Sequence, residues 1–466
     1  MPRGGGGRSG PGLRAEAAVV RPPGEAWADT RAIRKAVLRL ALPIVASNLL
    51  QRGVGIVDAL MVGRLGAAEL AAVGLAQLLI FFQMALVYGL GVGLTVMVAY
   101  HTGAGDAARR AQMVRSGLAM GLGLAAGLSL LGLWGSRWAA ALLGASGRVL
   151  ELAVAYLLVS WLLFAFLVFL HLLSAIFQGA GDTRTPLKVV TVVNLLHVAV
   201  ALPLVFGLMG APALGVVGAA VGSGVSEAVG VAWLLVLARR RGLLLTGAWA
   251  DREAVLRMGR VGWPAIGERL VTNGMQLAFA RVVIGFGVAI YAAHQVGLNI
   301  EALSFLPGLA FAQAATALVG QRVGARDPEG ARRTAGQAVL VALAVMTAFG
   351  ASFLLAPALW VRLFTPEAEV LAWGEPLLRI MGLLQVPLAL ALALAGSLRG
   401  AGETRTVLLA AIVGGWVVRI PLAVGLGVWA GYGILLVWLT MILDWVVRAL
   451  LMGWRLTHLD WGRIRL

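Results

Sequence analysis

Asp58 is the side chain whose position in this sequence most clearly requires a chemical role. It lies deep within a long apolar stretch, where a carboxylate marks a functional site by default. If that stretch is a helix turning by about 100° per residue, one face collects Ser47, Gln51, Gly55 and Asp58. Such a carboxylate could carry a proton or, when ionised, hold Na⁺ among oxygen ligands. The alternative is a structural ion pair with Arg52 or with an arginine of another helix.

Other polar side chains also interrupt apolar stretches. Asn194 and His197 are one helical turn apart, and they would share a face. His197 either takes part in the chemistry of Asp58 or is an interior histidine with a structural hydrogen bond. Asp444 and Arg448 have the i, i+4 spacing of an ion pair within one helix, so we expect these two charges to be structural.

Several kinds of chemistry are excluded by the residues themselves. The chain has no cysteine, which removes disulfides, thiolate nucleophiles and Cys-ligated metals. Its two lysines, Lys35 and Lys188, lack the glycine and hydroxyl neighbours of a Walker A loop, so it cannot be a P-loop ATPase. The five histidines are scattered, and neither HExxH nor GxSxG occurs. An intramembrane enzyme is therefore only a remote alternative, and no filter motif suggests a channel.

The elements that must position these residues are membrane helices. Of 466 residues, 60% are hydrophobic and 13% are charged, and the mean hydropathy is +0.90; soluble proteins average about 25% charged residues. Twelve apolar stretches follow one another between residues 36 and 455, each near or above the ~20 residues that cross a bilayer. The sequence therefore predicts an all-α integral membrane protein of twelve transmembrane helices.

The net charge of +17 comes from basic residues concentrated in alternate loops and in both flanks, as in Arg239 to Arg241. This asymmetry predicts a multi-pass protein of the cytoplasmic (inner) membrane with both termini in the cytoplasm. It also accounts for the charge without a nucleic-acid partner. Residues 1–30, rich in Gly, Pro and Arg, are predicted to be a disordered cytoplasmic tail.

An internal repeat divides the chain. The segment GAGDTRT at 179–185 returns as GAGETRT at 400–406, and Gly103-Ala104 returns as Gly324-Ala325, both 221 residues later. The same 221-residue offset at separated places in the sequence indicates an internal duplication. Because each repeat has an even number of helices, we expect two six-helix bundles of parallel orientation. The predicted domains are 31–238 and 254–466, joined by a cytoplasmic linker at 239–253.

Leu42-Pro43, Asp58 with Val62-Gly63, the two GAG[DE]TRT loops and the Gln321 to Asp327 loop together resemble the multidrug and toxic compound extrusion (MATE) family. The run from Ala292 to Gly308 resembles its prokaryotic, DinF-like branch. The resemblance covers about residues 35–455. It implies two six-helix bundles in a V around a central cleft. It also implies alternating-access export of cationic or amphipathic compounds in exchange for protons or sodium ions.

The resemblance assigns roles to particular residues. For cation coupling it points to Asp58, with Asn194, His197 and Gln51 as candidate neighbours; the DinF-like branch often has an Asp where this chain has Val198. Either His197 replaces that Asp, or Asp58 couples alone.

For the substrate cleft we assign Glu268, Gln276, Gln295 and Asn299. Glu268 follows Pro264, a residue that can bend a membrane helix beside a cavity. The alternative for Glu268 is an ion pair with Arg281 or Arg52. For Gln295 and Asn299 it is interhelical hydrogen bonding.

The NorM-like branch has acidic residues where this chain has Thr272 and Gln385, so its sodium site is not expected here. We expect a monomer in the lipid bilayer that needs no cofactor beyond an H⁺ or Na⁺ gradient, with Asp58 as the place for any Na⁺. A flippase for lipid-linked saccharides is the nearest alternative, but a pyrophosphate headgroup would require several cations in the cavity.

Overall fold

The computed structural model describes residues 29–466, and that part of the chain is helical with no β-strand. Almost all of the predicted N-terminal tail, residues 1–30, lies outside the described residues. The fold class predicted from the sequence is confirmed, since the described elements are long helices joined by short loops.

Thirteen helices are numbered here along the described chain. The first six are α1 (Thr30–Gly63), α2 (Ala67–Gly103), α3 (Ala107–Leu142), α4 (Gly147–Gly179), α5 (Arg184–Phe206) and α6 (Val216–Arg240). The others are α7 (Arg252–Ile284), α8 (Val288–Gly324), α9 (Pro328–Leu355), the short α10 (Pro357–Arg362), α11 (Ala368–Gly400), α12 (Thr404–Trp429) and α13 (Ile434–Thr457). Within α12 the backbone takes wider π-helical turns over Ile412–Arg419 and Ala423–Trp429.

Among the described residues, eleven helices are long and apolar enough to cross a membrane. The remaining long helix, α7, has 33 residues but is too polar to qualify, because seven Arg and Glu side chains interrupt it. It is nevertheless packed between α2 and the helices of the second half. The twelfth predicted span is therefore a charged helix, and one of its carboxylates, Glu268, is paired with Arg399 of α11.

The helices form two apolar cores, one mainly from α2 to α6 and one mainly from α7 to α13. The first helix of each half crosses to the other half. The start of α1 packs its side chains Ile33, Val37 and Leu40 against α8 and α9, and the start of α7 joins the first core through Met258 and Val261. Each half is thus joined to the other through the start of its own first helix, α1 or α7, and these two helices occupy equivalent positions in the repeat.

The ends of α2 and α8 meet in a reciprocal contact. A Cβ atom at Gly103 would lie 1.8 Å from the carbonyl oxygen of Gln321, and one at Gly324 would lie 1.8 Å from that of Tyr100. Both the glycines and the two opposing residues are 221 positions apart. We call this contact between Tyr100, Gly103, Gln321 and Gly324 the α2–α8 seam. Only glycine allows the backbones to approach so closely.

Replacing Gly103 with alanine is expected to push α2 and α8 apart, because backbone atoms rather than a movable side chain oppose the new methyl group. Overpacking of this kind costs about 1–3 kcal/mol of unfolding free energy, measurable by denaturant unfolding in detergent micelles. Gly127→Ala is the matched control, since nothing lies within 4 Å of a Cβ there. Equal stability of the two variants would contradict the seam.

Candidate functional site

Helices α1 and α5 bring Asp58 and His197 into contact. Oδ1 of Asp58 lies 2.6 Å from Nε2 of His197. The Asp58 side chain is 17% exposed and that of His197 is 4% exposed, so the contact lies at the edge of the interior. The other ring nitrogen, Nδ1, lies 3.3 Å from the hydroxyl of Ser223 in α6. With partners at both nitrogens, the imidazole can be hydrogen-bonded whether it is neutral or protonated.

The partner of Asp58 is therefore a titratable histidine. The alternative of an ion pair with Arg52 is wrong, because the Arg52 guanidinium donates instead to Oδ1 of Asn299, at 2.7 Å. His197 is buried and hydrogen-bonded at both ring nitrogens, as expected of an interior histidine, and one of its two partners is Asp58 itself. An imidazole can exist in a neutral or a protonated form, whereas the guanidinium of an arginine stays protonated.

The other two residues predicted near Asp58 are placed differently. Asn194 lies one turn before His197, and its buried Nδ2 has no hydrogen-bond partner among the described residues. Gln51 is exposed and lies two turns from Asp58, about 10 Å along the helix axis. Asn194 is thus available as a buried donor next to the pair, whereas Gln51 belongs to the open side of α1.

Sequence reasoning missed Glu227 and Tyr156. Glu227 lies one turn after Ser223 in α6, is half-buried, and forms no ion pair or hydrogen bond within residues 29–466. Both Glu227 and Asp58 are close enough to interact electrostatically with the buried Tyr156 of α4. The signal for Glu227 was available, since a carboxylate inside an apolar stretch is the criterion that identified Asp58. The first half therefore contains two carboxylates and an imidazole in one polar region.

Across the interface between the halves, α8 presents a ladder of polar side chains. Asn299 accepts from Arg52 and donates through Nδ2 to the carbonyl of Gln295, at 2.9 Å. Gln295 donates in turn to the hydroxyl of Tyr291, at 2.7 Å. Gln295 and Asn299 are both exposed, as is Gln276 of α7. Asn299 thus makes an interhelical bond, and the three amides all face open space.

Glu268 is held by Arg399 of α11. Nη2 of Arg399 lies 2.6 and 2.8 Å from the two carboxylate oxygens of Glu268. The expected partners, Arg281 and Arg52, are wrong. Both groups are largely buried, so the carboxylate is neutralised by a permanent cation and is not free to hold another one. The cleft role predicted for Glu268 would require this pair to open.

The ion pair predicted within the last long helix is present. Arg448 donates to both carboxylate oxygens of Asp444, at 2.5 and 3.0 Å, and the Asp444 side chain is fully buried. Arg419 lies 3.8 Å from Asp444 and stacks 3.8 Å over the ring of Phe279. Because Arg419 ends the first π-helical segment of α12, the wider turns there place this charge against the other two.

Comparison with known proteins gives one family. A family model described as MatE matches residues 43–202 and 264–424, two segments that begin 221 residues apart. The probable multidrug resistance protein NorM of Thermotoga maritima is 30% identical over 429 residues, covering 90% of this chain and 91% of that protein. The multidrug resistance protein PmpM of Pseudomonas aeruginosa is 28% identical over 411 residues, covering 85% and 84%.

Solved structures have the same fold. The bent form of the Vibrio cholerae MATE transporter VcmN superposes with a TM-score of 0.86 at 19% identity, covering 92% of this chain and 97% of that one. A MOP superfamily transporter from Pyrococcus furiosus gives a TM-score of 0.83 at 24% identity, covering 91% and 95%. That transporter is described as having a binding pocket of reverse polarity.

The Asp58–His197 contact is expected to appear as a coupling energy. In a double-mutant cycle, Asp58→Asn and His197→Gln should be non-additive by about 0.5–2 kcal/mol of unfolding free energy, the range seen for interhelical bonds in membranes. His171→Gln is the control, because among the described residues the hydrogen bond of His171 is to the carbonyl of Leu167 in its own helix. Additivity of Asp58→Asn with His197→Gln would show that the contact is absent.

The Glu268–Arg399 pair predicts that removing one partner destabilises the protein more than removing both. Glu268→Leu leaves a buried guanidinium uncompensated and should cost about 3–5 kcal/mol, whereas the double variant Glu268→Leu/Arg399→Met should recover most of that loss. The measurement is unfolding in detergent by denaturant. If the double variant is as unstable as Glu268→Leu alone, the two side chains do not compensate each other.

Proposed function

The chain belongs to the MatE family of membrane transporters, and we propose that it is a secondary active multidrug efflux antiporter that exchanges exported compounds for protons. It is a transporter and not an enzyme. The names of the relatives support drug export, and the residues of this chain support the proton as the coupled ion. The observation that carries the proposal is the 2.6 Å contact between Asp58 and His197.

Protons suit this pair better than sodium ions. A sodium site requires several oxygen ligands around the cation, whereas one oxygen of Asp58 faces an imidazole nitrogen. A proton needs only the two groups already in contact. Protonation gives an imidazolium beside a carboxylate, and release returns a neutral imidazole. The pair thus changes its net charge between zero and minus one as it loads and unloads.

The exported compounds proposed are cationic or amphipathic. The first half offers two carboxylates, Asp58 and Glu227, which attract positive charge. The exposed amides Gln276, Gln295 and Asn299 can hydrogen-bond varied ligands without strict selection. In this proposal the Asp58–His197 pair takes up a proton when a cationic compound leaves, because the proton and the compound are alternative ways of neutralising the pair's net negative charge.

Alternating access would proceed by opening and closing the α2–α8 seam. The seam closes the end of the molecule that carries the basic loops, which the positive-inside rule assigns to the cytoplasm. The described conformation would then face outward. We further propose that the protein lies in the inner membrane with both termini cytoplasmic, and that it acts as a monomer. Each proton moving inward supplies ~2.3 kcal/mol per 100 mV of membrane potential.

Transport of lipid-linked saccharides fits these side chains less well. A pyrophosphate headgroup would need uncommitted cations in the cavity. Arg399 and Arg448 are each held by a carboxylate, and Arg52 donates to Asn299. The two buried arginines and Arg52 are thus already engaged, which favours a cationic cargo.

Efflux of a cationic dye from proteoliposomes tests the proposal, with a pH gradient and a sodium gradient imposed separately. The wild type should respond to the pH gradient, and Asp58→Asn should reduce that efflux at least about tenfold, since removing the ionisable group removes the coupling. His197→Gln should reduce it as well, whereas His171→Gln should not.

If the Asp58→Asn variant exports dye at the wild-type rate under the pH gradient, Asp58 is not part of the coupling mechanism. Efflux that follows only the sodium gradient would replace protons by sodium as the coupling ion. Efflux of dye with neither gradient, unchanged in all variants, would mean that the protein is not an antiporter.

A further inference from the structure

A cavity of about 440 Å³ opens where the end of α2, the start of α7, the α11–α12 loop and the last residues of the chain meet. Four arginines line it: Arg257, Arg260, Arg405 and Arg465. They come from three separate segments of the second half. We call this cavity the arginine pocket. It lies at the opposite end of α7 from the polar ladder of α8, and none of the residues assigned to coupling or to the cleft lines it.

The charges of the arginine pocket are not balanced by its own lining. Its one lining acidic side chain, Glu403, is engaged from outside by Arg455, whose Nη2 lies 2.5 Å from Oε1. Arg257 is engaged too, by Glu253 and by the terminal main-chain oxygen of Leu466, at 3.0 Å. The other three arginines form no ion pair or hydrogen bond within the described part of the chain. The cavity therefore holds three positive charges without a partner.

The last residues of the chain are fixed in place beside the cavity. Trp461 and Ile464 pack against a small apolar cluster that includes Tyr100 of α2 and Val323 of α8. The side chain of Leu466 lies against Gly402, where a Cβ would come 2.3 Å from it. These contacts hold Arg465 at the cavity wall.

The first half has no equivalent of this arrangement. The repeat offset of 221 residues places Leu244 at the position of Arg465, and Leu244 packs against the first apolar core. The carboxylate equivalent to Glu403, Asp182, is paired with Arg241. Arg260 and Arg405 have counterparts in Arg39 and Arg184, so Arg257 and Arg465 are the charges that distinguish the arginine pocket from the equivalent place in the first half.

We propose that the arginine pocket binds a phosphate group. Guanidinium groups bind phosphate oxygens through paired, charge-assisted hydrogen bonds, and three unpartnered guanidiniums converge here. The volume exceeds that of inorganic phosphate and falls within the ~300–1,000 Å³ of small-ligand sites. Met97, Val261 and Leu466 add an apolar wall, which suits a phosphate that carries an organic group.

Phosphate could reach the pocket from two sources. Arg405 is the second residue of the membrane-crossing helix α12, so the pocket lies at the depth of lipid headgroups. An anionic phospholipid could place its phosphate there, and a free phosphate could enter from the aqueous side. Because Met97 belongs to the first half and the arginines to the second, a bound phosphate would also favour the closed α2–α8 seam.

The test uses the purified full chain and the variants Arg260→Gln and Arg405→Gln. Arg463→Gln is the matched control, because Arg463 lies in the same terminal segment, is 89% exposed, pairs with Asp460 and does not line the cavity. One arm titrates inorganic phosphate in detergent against chloride at equal ionic strength. The other compares nanodiscs of phosphatidylcholine with nanodiscs that contain phosphatidylglycerol. Thermal unfolding is the readout in both arms.

The wild type and Arg463→Gln should be stabilised saturably by phosphate, by phosphatidylglycerol, or by both, and chloride should not reproduce the effect. Half-saturation should weaken about tenfold in Arg260→Gln and in Arg405→Gln, the loss expected for one charge-assisted hydrogen bond. The arm that responds identifies the source. The proposal is overturned if neither arm stabilises the wild type, if chloride does so equally, or if all three variants respond alike.

The same variants also show whether a loss of phosphate binding is caused by misfolding. Arg260 and Arg405 are exposed and unpaired, so each glutamine variant should unfold at the wild-type temperature when no phosphate is present. Arg405→Lys keeps the charge but loses the planar fork, and its half-saturation should lie between those of the wild type and Arg405→Gln. A lysine variant that binds no better than the glutamine variant would contradict a site built on charge.

Discussion

The hydrogen bond between Asp58 and His197 ties α1 to α5, and the organisation of the first half follows from it. A carboxylate at this depth costs about 2.5–3.5 kcal/mol to insert, so it requires a partner. The partner is an imidazole, whose own second nitrogen is held by Ser223 of α6. Three helices are therefore linked through one titratable pair. The start of α1, in turn, packs into the second half, so the helix that carries the carboxylate also bridges the two halves.

In the second half, the cost of burying two carboxylates is offset by arginines, whose charge is permanent. Asp444 is held by Arg448, and Glu268 by Arg399. Neither arginine can release its proton, so these pairs keep the same charge at every physiological pH. The duplicated architecture is thus symmetric in its backbone, as the α2–α8 seam illustrates, and asymmetric in its chemistry. The carboxylate that is paired with a histidine lies in the first half, whereas the second half pairs Glu268 and Asp444 with arginines and presents exposed amides.

Much of the fold could be predicted because membrane helices and duplication leave long-range regularities in a sequence. The 221-residue offset, the class of fold and the Asp444–Arg448 pair all follow from spacing alone. Partners across helices could not be predicted in the same way. Glu268 and Arg399 are 131 positions apart, and only packing decides which of several arginines reaches a carboxylate. The π-helical turns of α12 could not be predicted either, because no proline and no interruption of the repeat marks residue 412 as their start.

The register of α5 explains how a histidine comes to face Asp58. The resembling branch often has an acidic residue at the position of Val198, and one residue earlier is a rotation of about 100° around the helix. Asn194 lies three residues before His197 and four before Val198, so both positions share its face. Exchanging an acid at 198 for an imidazole at 197 keeps a polar partner for Asp58 but removes one negative charge. Glu227 of α6 supplies a second carboxylate from another helix, near Tyr156. The site therefore keeps two acids beside a histidine that can itself bind a proton, which supports proton exchange more than a sodium site.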